Sequence, residues 1–279
     1  MEASLIFLAD NGSLEPAATL SLRTIAARLG DALRQKVVPV SLLHSNTVPA
    51  DQLAGKPAEL LIDALVARLQ TGESEFLIVP LFFGPSGALA DFLPAQVAAL
   101  KTKFPQLRVR VAPSLVEVDA ANDRRMATIL EENVRTKMAE PSGRPAVILV
   151  DHGSPTRAVT AVREHLARQL RTRLGPAVRD VLAASMERRA EPAYDFNEPL
   201  LDRAFDRPGF DAGPVIVAML FLSPGRHAGP AGDIARICAA AEQRHPKLRT
   251  VMTDLVGLHP GLIPILVDRV RTGLASLPL

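Results

Sequence analysis

The sequence contains few of the residues on which several specialised classes of protein depend. Among its 279 residues it has one cysteine, Cys238, one tyrosine and no tryptophan. A single cysteine cannot form an internal disulfide, a Cys-x-x-Cys metal site or the ligand set of an iron–sulfur cluster. Aromatic residues make up only 4% of the chain, and base-stacking surfaces for nucleic acid need more of them. The composition therefore argues against a disulfide scaffold, an iron–sulfur protein and a nucleic-acid-binding module.

An excess of one charge and long apolar runs are missing as well. The formal net charge is only +2, too small for a surface that binds polyanions. The longest apolar runs, FLIVPLFF and VIVAMLFL, are about eight residues long, far below the roughly 20 that a membrane helix needs. The segment MEASLIFLADNG has no basic region of the kind that opens a secretory signal. We therefore expect a cytoplasmic protein that binds neither membranes nor nucleic acid.

What the sequence does contain is an internal repeat. The segment LIFLADNGS (5–13) matches VILVDHGS (147–154) and places Asn11 opposite His152. In the same order along the chain, VVPVSLLHSNTVP matches DVLAASMERRAEP, which places His44 opposite Glu187. PLFFGPSGALADFLP matches MLFLSPGRHAGPAGDIA, which places Ala88 opposite His227. Three matches in register indicate a duplication.

Each copy alternates apolar strand patterns with helical patterns, which is typical of an α/β fold. In the second copy the spacing of Val159, Val162, Leu166, Leu170 and Leu174 predicts one face of a helix, with Ser154 as its N-cap. Strands that are apolar throughout indicate parallel sheets covered on both faces. We predict two similar flavodoxin-like domains, each a parallel four-stranded sheet flanked by helices. The predicted boundaries are 1–138 and 146–279, with a linker at 139–145.

The second copy also carries a candidate metal site. His152, Glu187 and His227 each follow a predicted strand, and the carboxyl ends of parallel strands meet at one edge of a sheet. Two imidazoles and a carboxylate suit Co²⁺, Fe²⁺, Ni²⁺ or Zn²⁺. In the first copy, Asn11, His44 and Ala88 cannot chelate in the same way. The repeat therefore predicts that one half has kept the scaffold and the other half the chemistry.

The segments VDHGSPTRA, SMERRAEP and MLFLSPGRHAGPAGDIA resemble motifs of the sirohydrochlorin chelatases, the CbiX/SirB/CbiK group of class II chelatases. The resemblance extends over nearly the full chain as a tandem pair. It implies ATP-independent insertion of Co²⁺ or Fe²⁺ into sirohydrochlorin, in a cleft between two α/β domains. It implies that His152, His227 and Glu187 are the catalytic and metal-ligating residues. The chain departs from the family at Asp151, where a small residue is usual, and in the loss of both histidines from the first half.

Sirohydrochlorin carries many carboxylates, so the implied substrate needs cationic partners. Guanidinium groups pair with carboxylates in bidentate fashion. The predicted substrate-binding residues are four arginines near the histidines and glutamate, and two residues whose amide groups open a predicted helix. They are Arg157, Arg188, Arg189, Arg226, Gly153 and Ser154.

Two other functions fit the same residues. Two histidines and a glutamate with an open position can activate water, as in a metal-dependent hydrolase. A non-catalytic carrier of metal or tetrapyrrole is the second alternative. The sequence has no GxxxxGK phosphate loop, in agreement with a reaction that uses no ATP. It leaves open the choice between cobalt and iron, and that between a monomer and a homodimer.

Overall fold

The chain folds into two compact units of similar construction. A computed structural model describes residues 4–120, 122–138 and 143–279, so part of the predicted linker, residues 139–142, lies outside the described residues. One unit, the first domain, consists of Met1–Glu117 and Pro260–Leu279. The other unit, the second domain, is Val118–His259. Helices and strands are numbered below in chain order.

The first domain is a parallel four-stranded sheet with the strand order β2-β1-β3-β4. The order places the first strand in the interior of the sheet, as in flavodoxin-like folds. Its strands and helices are β1 (Leu5–Asp10), α1 (Pro16–Leu33), β2 (Val37–Ser41), α2 (Leu61–Gln70), β3 (Glu75–Pro80), α3 (Leu93–Lys103), β4 (Arg108–Val111) and, near the end of the chain, α8 (Leu262–Ala275).

The second domain repeats this topology, with the strand order β6-β5-β7-β8 and parallel pairing throughout the described sheet. Its strands and helices are α4 (Arg125–Lys137), β5 (Ala146–Asp151), α5 (Arg157–Leu174), β6 (Val181–Ser185), α6 (Leu201–Ala204), β7 (Gly213–Met219), α7 (Asp233–Arg244) and β8 (Leu248–Met252). Two flavodoxin-like domains with parallel four-stranded sheets confirm the predicted fold class.

The strands form where the sequence is apolar without alternation. Every residue of β5 is buried, because helices cover both faces of a parallel sheet. The predicted helix stripe lies on α5, but the helix begins at Arg157 rather than directly after Ser154. The Ser154 hydroxyl accepts a hydrogen bond from the Thr156 amide (3.0 Å), so it closes a turn before the helix instead of capping it. No helix within the described ranges has the length and apolar character needed to cross a membrane.

The compact units divide the chain differently from the predicted boundaries of 1–138 and 146–279. Helix α8 packs against β3 of the first domain, where a Cβ on Gly273 would meet the Leu77 side chain at 2.7 Å. The Arg269 guanidinium, on the same helix, donates a hydrogen bond to the Leu115 carbonyl (3.0 Å). Helix α4 instead packs against α5 and β7 of the second domain. The predicted boundaries put α4 in the first domain and α8 in the second. In the structure, α8 packs in the first domain and α4 in the second.

Candidate metal centre in the second domain

Three loops at the carboxyl edge of the second sheet carry the residues predicted to bind metal. His152 directly follows β5, Glu187 follows β6, and His227 lies in the loop after β7. β5 pairs with both β6 and β7, so the three loops leave neighbouring strands at the same edge of the sheet. The topology thus brings together side chains that are far apart in sequence.

The three side chains form a contiguous row. His152 Nε2 lies 3.3 Å from Glu187 Oε1, and the rings of His152 and His227 have centroids 4.8 Å apart at an interplanar angle of 65°. Both His152 and Glu187 are largely exposed, and His227 is partly buried. The row is therefore accessible from solvent.

Hydrogen bonds define which ring nitrogen of each histidine is available. His152 Nδ1 contacts the Gly153 carbonyl at 3.1 Å, and because a carbonyl only accepts, Nδ1 carries the proton there. Nε2 is then the ring nitrogen that faces the Glu187 carboxylate. Two donors on one tetrahedral ion, each about 2.1 Å from it, lie about 3.4 Å apart. The spacing of His152 Nε2 and Glu187 Oε1 matches two ligands of a single cation.

His227 has a carboxylate partner of its own. Its Nδ1 lies 2.5 Å from Asp233 Oδ2, at the start of α7. The hydrogen bond with His227, followed by that with Arg236, lowers the pKa of Asp233. A carboxylate on one ring nitrogen fixes the ring and leaves Nε2 for a metal or a proton. This role for Asp233 was not predicted from the sequence, although the acid that follows the GRHAG segment was a signal for it.

The row does not form a complete coordination sphere. Among the described residues, no group of three or more His, Cys, Asp or Glu side chains is arranged to hold a metal ion. His152 and Glu187 have the spacing of a ligand pair, whereas His227 contacts this pair through its ring. The three-ligand set of His152, Glu187 and His227 therefore stays a prediction.

The four predicted arginines differ in how many contacts they make with other side chains of the second domain. Arg188 forms ion pairs with Glu198 (2.8 Å) and Asp195 (3.1 Å), so its guanidinium is already paired within the domain. Arg189 lies over the Tyr194 ring, 5.2 Å from its centroid, and donates to the Tyr194 hydroxyl (3.0 Å).

Arg157 and Arg226 have looser surroundings. Arg157 lies over the Phe196 ring at 4.5 Å. The Arg226 side chain is 77% exposed, with its Nε 3.8 Å from Asp233 Oδ2. It lines a cavity of about 470 Å³ together with Glu187 and His227. Arg226 thus shares this cavity with two of the three side chains of the row.

The two predicted backbone donors are not available for an anion. The Gly153 amide donates to Asp151 Oδ1 (3.1 Å), and the Ser154 amide donates to Asn197 Oδ1 (3.0 Å). Both peptide hydrogens are therefore consumed inside the domain. This arrangement contradicts the predicted anion site at Gly153 and Ser154, because both amides already donate to polar side chains of the same domain.

The structure also corrects one pairing within the repeat. The Glu187 amide donates to the His152 carbonyl at 3.1 Å, and in the first domain the Leu43 amide donates to the Asn11 carbonyl at 3.1 Å. Leu43, not His44, therefore takes the place of Glu187. His44 is displaced by one residue and is exposed, with a positive φ of 65°. The first domain thus has a leucine where the second has its carboxylate.

Comparison with known proteins agrees with this architecture. The chain superposes on SirB from Bacillus subtilis with Fe³⁺, with a TM-score of 0.73, 14% identity and coverage of 98% of this chain and 96% of that one. For SirB from Bacillus subtilis subspecies spizizenii in complex with cobalt, the TM-score is 0.68 at 14% identity, covering 99% and 98%. CbiX, described as the terminal enzyme of siroheme biosynthesis in denitrifying bacteria, gives 0.59 at 17% identity, covering 96% and 98%. At these identities the likeness shows the fold.

The two α/β domains have the fold of these chelatase structures. Residues 146–273 match the CbiX family model. The match lies in the second half of the chain, which carries the motifs that resemble this family. No curated protein matches the sequence.

Proposed function

We propose that the protein inserts a divalent metal ion, Co²⁺ or Fe²⁺, into sirohydrochlorin without ATP. The observation that carries the proposal is the row of Glu187, His152 and His227 at the carboxyl edge of a sheet, in the part of the chain that matches the CbiX family model. SirB structures with iron and with cobalt share the fold. The metal ion in this proposal is a substrate that leaves with the product.

Metal insertion requires two pyrrolic protons to leave the macrocycle while the ion loses its water ligands. A neutral imidazole can ligate the ion or accept a proton, and a carboxylate can do the same. His152 and Glu187 have the spacing to hold the ion before transfer. His227, whose ring is fixed by Asp233, is placed beside this pair to accept a proton or to complete the ligand set. Either assignment uses all three side chains.

The peripheral carboxylates of the tetrapyrrole need cations near the row. Arg226 shares the cavity with Glu187 and His227, and it is the first candidate to bind a substrate carboxylate. Arg157 and Arg189 lie on aromatic rings, where a guanidinium keeps its edge free for a second partner. Arg188 contributes by holding Asp195 and Glu198 in place.

The test is an anaerobic insertion assay with sirohydrochlorin and either Co²⁺ or Fe²⁺, followed by the change in the visible spectrum of the tetrapyrrole. The wild-type chain is expected to exceed the spontaneous rate. His152→Ala and His227→Ala are each expected to lower the insertion rate at least ~100-fold, since each removes a ligand or a proton acceptor. His245→Ala is the matched control, because His245 pairs with Asp206 (2.8 Å) beyond the far end of α7.

Each alternative function predicts a different result. Binding of metal and tetrapyrrole with no rate above the spontaneous reaction would identify a carrier and contradict the proposal. An unchanged tetrapyrrole spectrum together with metal-dependent cleavage of an ester or amide would identify a hydrolase. Full activity in both histidine variants would refute the residue assignment.

A further inference from the structure

A group of polar side chains lies beneath the turn that carries His152. Arg163 on α5, Ser185 at the end of β6, and Asn197 are all completely buried. Asp151, at the end of β5, is 6% exposed. Arginine is almost never fully buried unless it is paired, so the contacts of this group need an explanation. We call these four residues the buried polar group.

Arg163 is at the centre of the group. Its Nη1 lies 3.3 Å from Asp151 Oδ1 and 3.3 Å from the Asn197 carbonyl oxygen, and it also donates to the Ser185 hydroxyl. Its Nη2 donates to Glu164 Oε1 at 2.8 Å. The Ser185 hydroxyl donates in turn to Asp151 Oδ1 at 2.9 Å. One buried cation thus connects the ends of β5 and β6 with the segment that contains Asn197.

The group also holds the backbone directly after His152. Asp151 Oδ1 accepts the Gly153 amide (3.1 Å), and Asn197 Oδ1 accepts the Ser154 amide (3.0 Å). The Asn197 side-chain amide donates back to the Ser154 carbonyl (2.9 Å). The two peptide groups that follow the histidine are therefore held by the side chains of Asp151 and Asn197, and Arg163 contacts the Asp151 carboxylate and the Asn197 carbonyl.

Glu187 is tied to the same frame. The Met186 amide donates to the Asp151 carbonyl (2.8 Å), and the Glu187 amide donates to the His152 carbonyl (3.1 Å). Gly153 has a φ of +92°, and a Cβ there would lie 1.9 Å from the Glu187 carbonyl oxygen. The segments that carry the two metal donors therefore touch at this turn, directly above the buried polar group.

The first domain provides an internal comparison. Helices α1 and α5 have the same length, and aligning them places Leu22 opposite Arg163. The alignment of β2 with β6 continues to Leu53, opposite Asn197. Both leucines are buried. Asp10 and Ser41 keep the places of Asp151 and Ser185. The neighbouring Arg23 donates to the Leu53 carbonyl (2.7 Å), so the first domain differs at the arginine and asparagine positions themselves.

The fold itself does not require the buried polar group. The two sheets have the same strand order and parallel pairing, and Gly12 repeats the close turn with a φ of +90°. The first domain builds all of this with two leucines. What it lacks, beyond the arginine and asparagine, is the pair of donors, which Asn11 and Leu43 replace.

We propose that Arg163 and Asn197 are positioning residues that hold the turn after β5 so that His152 faces Glu187 at ligand spacing. They touch neither the ion nor the tetrapyrrole, and they act through Asp151 and the peptide groups of Gly153 and Ser154. The inference rests on the proposed function for its purpose, but its geometric part can be measured separately.

The test compares the wild type with Arg163→Leu/Asn197→Leu, which copies the first domain. In crystal structures, the separation of His152 Nε2 and Glu187 Oε1 is expected to exceed hydrogen-bond distance in the variant. In a titration with Co²⁺ alone, followed by visible absorption, the affinity is expected to fall at least about tenfold, as it does on loss of outer-shell partners. Arg171→Leu is the matched control, because Arg171 is an exposed arginine on the same helix that pairs with Asp180 (3.1 Å).

Loss of stability must be separated from loss of positioning. Removing Arg163 leaves Asp151 as an unpaired buried carboxyl, so a further variant, Asp151→Ala/Arg163→Leu/Asn197→Leu, removes the polar partners together and is expected to fold. Leu170→Ala, in the buried face of α5, destabilises the same helix without touching the turn. It is expected to keep the Co²⁺ affinity of the wild type within about twofold.

Two results would overturn the inference. One is an unchanged separation of His152 and Glu187 in a folded variant that lacks Arg163 and Asn197. The other is a loss of Co²⁺ affinity in Leu170→Ala as large as in the positioning variants. A wild-type chain that fails to metallate sirohydrochlorin would contradict the proposed function instead, while the crystal structures would still decide the positioning role.

Discussion

The two domains share one sheet topology and differ in what lies beneath the turn after the first strand. In the second domain, Arg163 and Asn197 contact the turn that carries His152. In the first, Leu22 and Leu53 occupy these positions and the turn carries Asn11. The comparison indicates that the strand, the glycine turn and the parallel pairing belong to the fold. Arg163 and Asn197 are the two members of the buried polar group that occur only in the domain with the candidate site.

The difference between the domains affects the environment of Asp10 in the first domain. Asp10 keeps the position of Asp151, but among the described residues its Oδ1 has no hydrogen-bond partner. Burial raises the pKa of Asp10 to about 6, and hydrogen bonds from Ser41 and the Gly12 amide oppose this rise only in part. Burial also raises the pKa of Asp151, where the Arg163 charge opposes it. Asp10 is therefore a buried carboxyl with a hydrocarbon side chain, Leu22, at the position where Asp151 has a cation.

The largest effect is expected on the stability of the second domain when the chain is cut at the predicted domain boundary. A chain of residues 146–279 lacks α4, whose buried side chains pack against α5 and β7, and it contains α8 without the sheet that α8 covers. We expect this fragment to aggregate or to bind a hydrophobic dye, because both changes expose core-forming residues. Residues 118–259 retain the whole second domain.

The matched fragment makes this prediction decisive. Residues 118–259 are expected to unfold cooperatively on heating, with near-ultraviolet circular dichroism as the measure of fixed side-chain packing. A cooperative transition in 146–279 at the temperature found for 118–259 would show that the predicted boundary was the better one.

The fold was readable from the sequence because its determinants are local. Continuous apolar runs predict buried parallel strands, and the stripe on α5 predicts its buried face. The domain in which α4 and α8 each pack could not be predicted from the sequence, since an amphipathic helix at the end of either half can cover either sheet. Chain order favoured the wrong partner for each. Contacts in the folded chain, such as that of Gly273 with Leu77, reveal which sheet α8 covers.

The candidate site was readable in part. Strand ends and the repeat identified His152, Glu187 and His227, whereas Arg163 was missed because an arginine on a helix is normally exposed. The repeat held the signal, since alignment of the two helices places Leu22 opposite Arg163. The pairing of His44 with Glu187 was off by one residue. The register depends on the contact of a glycine with a backbone carbonyl, which side-chain patterns do not record.

A smaller effect is expected from the carboxylate that supports His227. Asp233→Ala removes the partner of His227 Nδ1, so the ring can rotate and either nitrogen can carry the proton. We expect metal affinity and insertion rate to fall about tenfold. The assays are a Co²⁺ titration and spectroscopic insertion.

The conservative variant separates orientation from charge. Asp233→Asn keeps an oxygen that can accept the Nδ1 proton and is expected to recover most of the loss. An equal loss in both variants would mean that the charge of Asp233, rather than the orientation of His227, is what the site uses. Retention of full activity in Asp233→Ala would remove Asp233 from the site altogether.

The smallest effect is expected in the first domain, from the buried carboxyl of Asp10. The pKa of Asp10 is about 6 in the folded chain against an ordinary value of 3.8, so between these values the folded state binds more protons than the unfolded state. The free energy of unfolding therefore rises as the pH falls through 6, by about 1 kcal/mol between pH 7 and pH 5. In Asp10→Asn this contribution is absent, and the difference between the two pH dependences, measured by urea unfolding, isolates it. Identical pH dependences would show that Asp10 is solvated or paired in solution, and the contrast with Asp151 would then disappear.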